Sequence, residues 1–149
     1  MKERCDTVMS KNVQTCSETD SAESAARLMR DRNVGLVPIV DSSQKVCGVI
    51  TDRDLAVRVL ADGRNGDTPL KDIMSSGNLV TVHADQPLGD AEERMMKAGT
   101  SRALVLDRDD RVIGVISESD ISFRENPKRT GEVISELKRN QRVAGRRAQ

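Results

Sequence analysis

The chain has no tryptophan, no tyrosine and one phenylalanine, Phe123. A nucleic-acid contact made by its basic end would therefore be attraction to phosphates alone, without stacking on bases, and strongly salt-dependent. Its one histidine, His83, stands near the end of a predicted strand with no acid or serine patterned around it, which removes the usual nucleophile-and-base pair. The adjacent carboxylates Asp109 and Asp110 fall in a predicted turn and read as turn chemistry. No Gly-rich phosphate loop of the Walker type is present, which argues against nucleotide hydrolysis. An enzyme is not the expectation. Three cysteines, Cys5, Cys16 and Cys47, are an odd number without zinc-type spacing, so neither a disulfide framework nor a structural metal site is expected. No apolar run approaches the length of a membrane helix, and the opening residues lack the apolar core of a secretory signal, so the expectation is a cytoplasmic protein without membrane contact. Net charge is zero, but unevenly spread. Residues 128–149 hold seven basic side chains (Lys128, Arg129, Lys138, Arg139, Arg142, Arg146, Arg147) against Glu132 and Glu136, leaving the remainder at minus five.

What the chain does have is a duplication. Gly48-Val49-Ile50-Thr51-Asp52-Arg53-Asp54 returns 66 residues later as Gly114-Val115-Ile116-Ser117-Glu118-Ser119-Asp120. The same offset carries Asp41 to Asp107, Val46 to Val112, Met29 to Met95 and Ala25 to Ala91. A period of this size occurring twice points to one duplicated unit and not a solenoid. Neither copy is long enough to be comfortable alone, whereas 149 residues can bury about 68–70% of the unfolded surface.

Each copy reads as strand, helix, strand, strand, helix. In the first, a polar turn at Cys5–Met9 precedes a strand at Val13–Thr15, and Ser21 caps a helix reaching about Asn33 with Ala22, Ala25, Ala26 and Met29 on its inner face. The uniformly apolar run from Val34 to Val40 is a buried strand, the turn at Asp41–Gln44 leads to a strand from Val46 to Ile50, and a helix follows from about Asp52 to Ala61. The domain reading is 1–62 for the first repeat, 63–68 for a linker, 69–126 for the second repeat and 127–149 for a basic helix or tail. Pro69 is expected at the first position of a helical turn through Leu70–Met74. In the second copy the strands are Leu79–Val82, Ala103–Leu106 and Val112–Ile116, and the helix Pro87–Ala98 carries Leu88, Ala91 and Met95 inward. A last helix is expected from Thr130 to about Val143 with Val133, Ile134 and Leu137 on one side, and a frayed end from Ala144 to Gln149.

The repeated motif has chemistry of its own. A strand ending at Thr51 or Ser117 delivers the chain to a helix start, where unpaired N–H groups and the helix dipole favour an anion. Three residues on, Asp54 or Asp120 can accept from two adjacent ribose hydroxyls. Gly48 and Gly114 leave the neighbouring strand bare, permitting close backbone approach. A hydroxyl residue followed three positions later by an acid is equally a capping box that serves only the helix itself. Both readings stand on these residues.

A tandem β-α-β-β-α repeat whose last strand runs into Gly-x-x-Thr/Ser-x-x-Asp resembles the CBS-domain family (cystathionine β-synthase domains), over roughly residues 1–123. The resemblance implies an α+β fold in which two CBS repeats pack as one pseudo-two-fold pair, a Bateman module, of the stand-alone bacterial type. It implies no required cofactor, and binding of AMP, ADP, ATP or an S-adenosylmethionine-like ligand in clefts between the repeats. Carried over by position, one cleft would use Thr51, Asp54, Val80, Ser101 and Arg102 with Arg53 nearby, and the other Ser117, Asp120, Gln14, Gly35, Leu36 and Pro38. Arg102, Arg53 and Arg58 favour phosphate in the first. Glu118 disfavours it in the second unless that carboxylate is turned away. Leu104 departs from the proline found at Pro38. The implied role is a non-catalytic regulatory module that signals energy or metabolite state to an unknown downstream protein.

Two further readings belong to other classes: a redox or metal sensor through Cys5, Cys16 and Cys47 with His83, and a nucleic-acid-associated protein through the basic tail, the latter less favoured than a solubilising or contact-forming helix. A homodimer is expected, because the helix after the first motif carries more apolar residues (Leu55, Val57, Val59, Leu60) than one repeat's core can take.

Overall fold

The computed structural model describes residues 3–77 and 79–147. The fold is α+β, with two three-stranded sheets, each flanked by helices. A one-turn helix α1 (Cys5–Val8) leads to β1 (Cys16–Ser17), α2 (Ala22–Arg32), β2 (Leu36–Val40), β3 (Val46–Thr51) and α3 (Asp52–Leu55). Beyond α3 the chain continues as a π-helical turn, Ala56–Leu60, closed by the Ala61 N–H donating to the Ala56 carbonyl at 3.0 Å. After a 3-10 turn, Leu70–Asp72, come β4 (Thr81–His83), α4 (Leu88–Ala98), β5 (Arg102–Leu106), β6 (Val112–Ser117), α5 (Glu118–Arg124) and α6 (Pro127–Arg147). In each sheet the first strand pairs parallel with the second and the second antiparallel with the third. The duplication extends to irregularities: the register slips between Ile39 and Val40 in one sheet and between Val105 and Leu106 in the other.

The helices form where capping and periodicity direct them. Ser21 accepts from the Ser24 N–H at 3.1 Å, and α2 closes on Asn33 in the left-handed conformation. On α2, Ala22, Ala25 and Met29 are buried, but Ala26, expected beside them, is exposed. On α4, Leu88, Ala91 and Met95 are buried as expected, and Glu92 joins them.

Several boundaries differ from the sequence reading. Val13–Thr15 is not a strand; the first strand is Cys16–Ser17. The other repeat explains this. There Thr81 pairs with Leu104, whose N–H donates to the Val80 carbonyl at 2.9 Å. The residue in Leu104's register is Pro38, which has no N–H to give, so this ladder begins one residue later at Cys16 and Ile39. Leu79–Val82 is likewise replaced by Thr81–His83, Val34 is exposed ahead of β2, and Pro69 precedes the 3-10 turn where it was expected inside it. The last helix is longer at both ends, with Pro127 as its first residue and the Asn126 carboxamide accepting from the Arg129 N–H at 2.9 Å. Helical backbone continues to Arg147 through part of the stretch read as frayed; Ala148 and Gln149 lie outside the described residues.

The compact units are a different partition from the repeats. Residues 13–79 form one unit, and the chain up to Asn12 together with Val80 onward forms the other. Each unit thus borrows the segment that precedes the other repeat's first strand. Ser75 exchanges backbone hydrogen bonds with Val49 at 2.9 Å each way, and Ser10 does so with Val115 at 2.8 and 3.1 Å. Leu70 and Ile73 are fully buried in the core with Ile39 and Ile50, and Cys5 and Val8 in the core with Met95 and Ile116. The repeated glycines serve this exchange. A Cβ on Gly48 would meet Met74 Sδ at 2.7 Å, and one on Gly114 would overlap Met9 Sδ. The bare strand face that sequence reasoning offered to a ligand is filled by methionine.

Candidate functional site

Both copies of the motif fold as complete capping boxes. The Thr51 hydroxyl accepts from the Asp54 N–H at 3.1 Å, and Asp54 Oδ2 accepts from the Thr51 N–H at 2.9 Å. At the other motif the Ser117 hydroxyl accepts from the Asp120 N–H at 3.4 Å, and Asp120 Oδ2 accepts from both the Ser117 N–H at 2.8 Å and its hydroxyl at 3.0 Å. A carboxylate has about four lone-pair positions, so capping occupies part of each aspartate and leaves acceptor capacity on both. The capping and ligand readings are therefore compatible on the same residues.

Surroundings distinguish the two motifs. Arg58 lies with Nε 3.7 Å from Asp54 Oδ1 while its Nη1 donates to the carbonyls of Ile73 and Met74, both at 3.2 Å, clamping the borrowed segment beside the motif. The residue in Arg58's register, Arg124, turns to Glu3 at 3.7 Å. Arg53 is exposed at the start of α3. Glu118, expected to repel phosphate, has its counterpart in Asp52, so an acidic residue follows the hydroxyl in both motifs. Glu118 Oε1 faces Lys138 Nζ of α6 at 3.4 Å, which offsets its charge.

The predicted companions are placed as follows. Within the first unit, Thr51 pairs with Leu36, the Asp52 N–H donates to the Gly35 carbonyl at 3.0 Å, Pro38 is buried and Gln14 is exposed. Within the second, Ser117 pairs with Arg102, the Glu118 N–H donates to the Ser101 carbonyl at 3.2 Å, Arg102 is half-buried and Val80 is buried. Each motif thus abuts the entry to the second strand of its own repeat.

The groups behind the other readings are dispersed. Cys5 and Cys16 are buried and Cys47 is half-buried; burial raises the pKa of all three thiols, Cys5 to about 11 with a further upward push from Asp90. Thiols held protonated are poor nucleophiles and poor metal ligands. Among the described residues no cluster of three metal-ligating side chains occurs. His83 does have an acid, missed in the sequence: its Nε2 lies 2.8 Å from Asp110 Oδ1, both half-exposed. Asp110 is in the turn organised by Asp107, whose Oδ1 accepts from the N–H groups of Asp109 and Arg111 at 2.9 and 3.0 Å. The buried Glu92 was also missed. Its signal was present, since Leu88, Ala91, Glu92 and Met95 follow the i, i+3, i+4, i+7 spacing of an inner face.

Residues 5–61 and 70–124 each match the model of the CBS domain. The chain belongs to the CBS-domain family, with two such domains in tandem. It is 32% identical over 117 residues to the CBS domain-containing protein YhcV of Bacillus subtilis, covering 78% of this chain and 81% of that one. It is similar to the CBS domain pair of protein MJ0100, solved in complex with 5′-methylthioadenosine and S-adenosyl-L-methionine, at 29% identity and a TM-score of 0.72, covering 83% and 95% of the two chains. The CBS domain protein PAE2072 of Pyrobaculum aerophilum, complexed with AMP, shares the fold at 22% identity and a TM-score of 0.73, over 91% and 98% of the two chains. No helix among the described residues is long and apolar enough to cross a membrane.

Proposed function

We propose that the chain is a non-catalytic regulatory module that binds an adenine nucleotide or an S-adenosylmethionine-related ligand and passes its occupancy to a downstream protein. The observation that carries this reading is the 29% identity, over most of both chains, to a CBS pair holding two adenosyl ligands. The motif chemistry supports it. Asp54 and Asp120 are the ribose acceptors, and Ser101 with Arg102, and Gly35 with Leu36, take base and phosphate. Val80, Gln14 and Pro38 line the same ligands. Arg53 and Arg58 put positive charge within one turn of Asp54, whereas Ser119 replaces Arg53 at the other motif, so anionic nucleotides bind first through Thr51 and Asp54.

Equilibrium dialysis against AMP tests the ordering. Without tryptophan or tyrosine the protein leaves the purine absorbance unobscured. Asp54→Ala is expected to weaken AMP binding by about 1.5–3 kcal/mol, the value of hydrogen bonds to a charged acceptor, and Asp120→Ala by much less. A larger loss in Asp120→Ala reverses the assignment. No binding by the wild type at millimolar AMP or S-adenosylmethionine leaves Thr51 and Asp54 as caps alone.

The module acts as a homodimer. Its support is apolar surface that neither repeat covers: Val57 at 47% exposure, Leu60 at 78% and, in Val57's register, Phe123 at 87%. Light scattering is expected to give twice the 16.4 kDa of one chain, and Leu60→Asp to return it to the single-chain mass. A wild-type reading at the single-chain mass in micromolar solution refutes the dimer.

A further inference from the structure

Among the described residues, the buried side-chain oxygens left without a hydrogen-bond partner are Glu92 Oε2 on α4, Glu118 Oε1 at the start of α5 and Thr130 Oγ1 in the first turn of α6. All three belong to one seam, where α6 meets α4 and α5. Both carboxylates face a cation from α6, with Arg129 Nε 3.6 Å from Glu92 Oε2 and Lys138 Nζ 3.4 Å from Glu118 Oε1. The Glu92 separation is beyond a normal hydrogen bond, and a buried charge paired without one recovers little of its lost hydration. The rest of the seam is well made: Val133 and Leu137 are fully buried, and the Asn140 carboxamide donates to the Met96 carbonyl.

The duplication supplies an internal control. Glu92 is 1% exposed, while Ala26, its counterpart in the other repeat, is exposed. Gly99 meets the α6 backbone at Asn140 and Gln141, while its counterpart is Asn33, a residue with a side chain. The repeats therefore diverge where α6 lies. Where α6 covers position 92 the chain places a carboxyl group, and where no such helix covers position 26 it places an exposed alanine.

We propose that α6 is a proton-sensitive latch, docked on α4 while Glu92 carries a proton and increasingly open as that proton leaves. The groups facing Glu92 are few. From the α5–α6 connection comes the Glu125 carboxyl, whose negative charge opposes ionisation of Glu92, and from α6 comes Arg129, itself 3.7 Å from Glu132. α1, also against α4, brings Cys5 and Asp6 toward Asp90 and Arg94, and the strands contribute Val82, Ala103 and Val105 to the shared core. Burial first, then Glu125, hold the Glu92 carboxyl up at about 7, against the downward pull of Arg129.

The docked pKa is raised above the ordinary 4.5 that Glu92 regains when α6 lifts away. The protonated group's contribution to docking is therefore full below the lower value and is lost as pH rises through the higher one. By this linkage the open-to-docked ratio grows about tenfold between pH 6 and pH 8. The latch stands whether or not a nucleotide binds.

Hydrogen exchange on the full chain tests it, with the protection of peptides from residues 128–143 referred to the intrinsic rate at each pH and to β5 and β6 as the reference core. In the wild type, α6 protection is expected to fall about tenfold relative to that core between pH 6 and pH 8. In Glu92→Gln the fall should vanish while α6 remains protected. Glu125→Gln, at a half-buried position, keeps the test decisive if Glu92→Gln does not fold: removing that carboxylate should move the wild-type transition to lower pH. A wild-type α6 that tracks the core at every pH, a fall that persists in Glu92→Gln, or a transition unmoved in Glu125→Gln overturns the proposal.

Discussion

Leu137→Ala is expected to destabilise the second unit by about 2–5 kcal/mol, the range for emptying a fully buried leucine site. Leu137 is 0% exposed in a core with Val133, Met95 and Ile121. The helix that carries it is the one that charge alone marked as a solubilising tail. Arg139→Ala, two residues away at an exposed position whose ion pair among the described residues is with Glu136 at 2.9 Å, should change stability by less than about 0.5 kcal/mol. Urea unfolding followed by far-ultraviolet circular dichroism gives both numbers in a chain without tryptophan. Equal effects of the two substitutions would show that α6 contributes no packing.

Gly99→Ala is expected to cost about 2–4 kcal/mol, and for two separable reasons. Gly99 closes α4 at φ 66°, where an L side chain is strained by about 1–2 kcal/mol. An added Cβ would also stand 2.8 Å from Asn140 C and Gln141 N, which are backbone atoms of a packed helix and cannot swing aside. Gly99→Asn isolates the second reason, because asparagine tolerates the left-handed region, as Asn33 does at the matching position with φ 53°. Close agreement of Gly99→Asn with Gly99→Ala in melting experiments assigns the loss to the α6 contact; a Gly99→Asn variant as stable as the wild type assigns it to φ alone.

How far the fold was legible depended on whether a signal was local. The Ser21 cap, the inner face of α4 and the strands through Leu36–Val40 and Val112–Ser117 follow from spacing within a dozen residues, and the constant offset multiplied each signal by two. The missed first strand turned on Pro38, visible in the sequence, meeting a partner whose register was not. The exchange of segments between repeats left no local trace, because the turns at Cys5–Val8 and Leu70–Asp72 are equally compatible with packing on either copy. At the candidate site the aspartates and hydroxyl residues were legible from the motif. Arg58 reaching Ile73 and Met74, Lys138 facing Glu118 and methionine filling the glycine faces were not, since each joins residues 15 or more apart through side chains that obey no period. Glu92 was legible in principle, as a charge on an apolar stripe; its meaning required the helix that covers it.

The borrowed segments also set an order of events as the chain is made. Residues 13–79 contain every part of their own unit, so it can close while synthesis is still under way, as domains generally do. The segment ending at Asn12 is made before that unit and used after it, waiting while the 67 residues of 13–79 pass before the strands it completes exist. Met9, which fills the face of Gly114, is meanwhile an apolar side chain whose glycine partner has yet to be made. A fusion or tag placed ahead of residue 3 should therefore disturb the second repeat, far along the chain, before it disturbs the repeat whose sequence it adjoins.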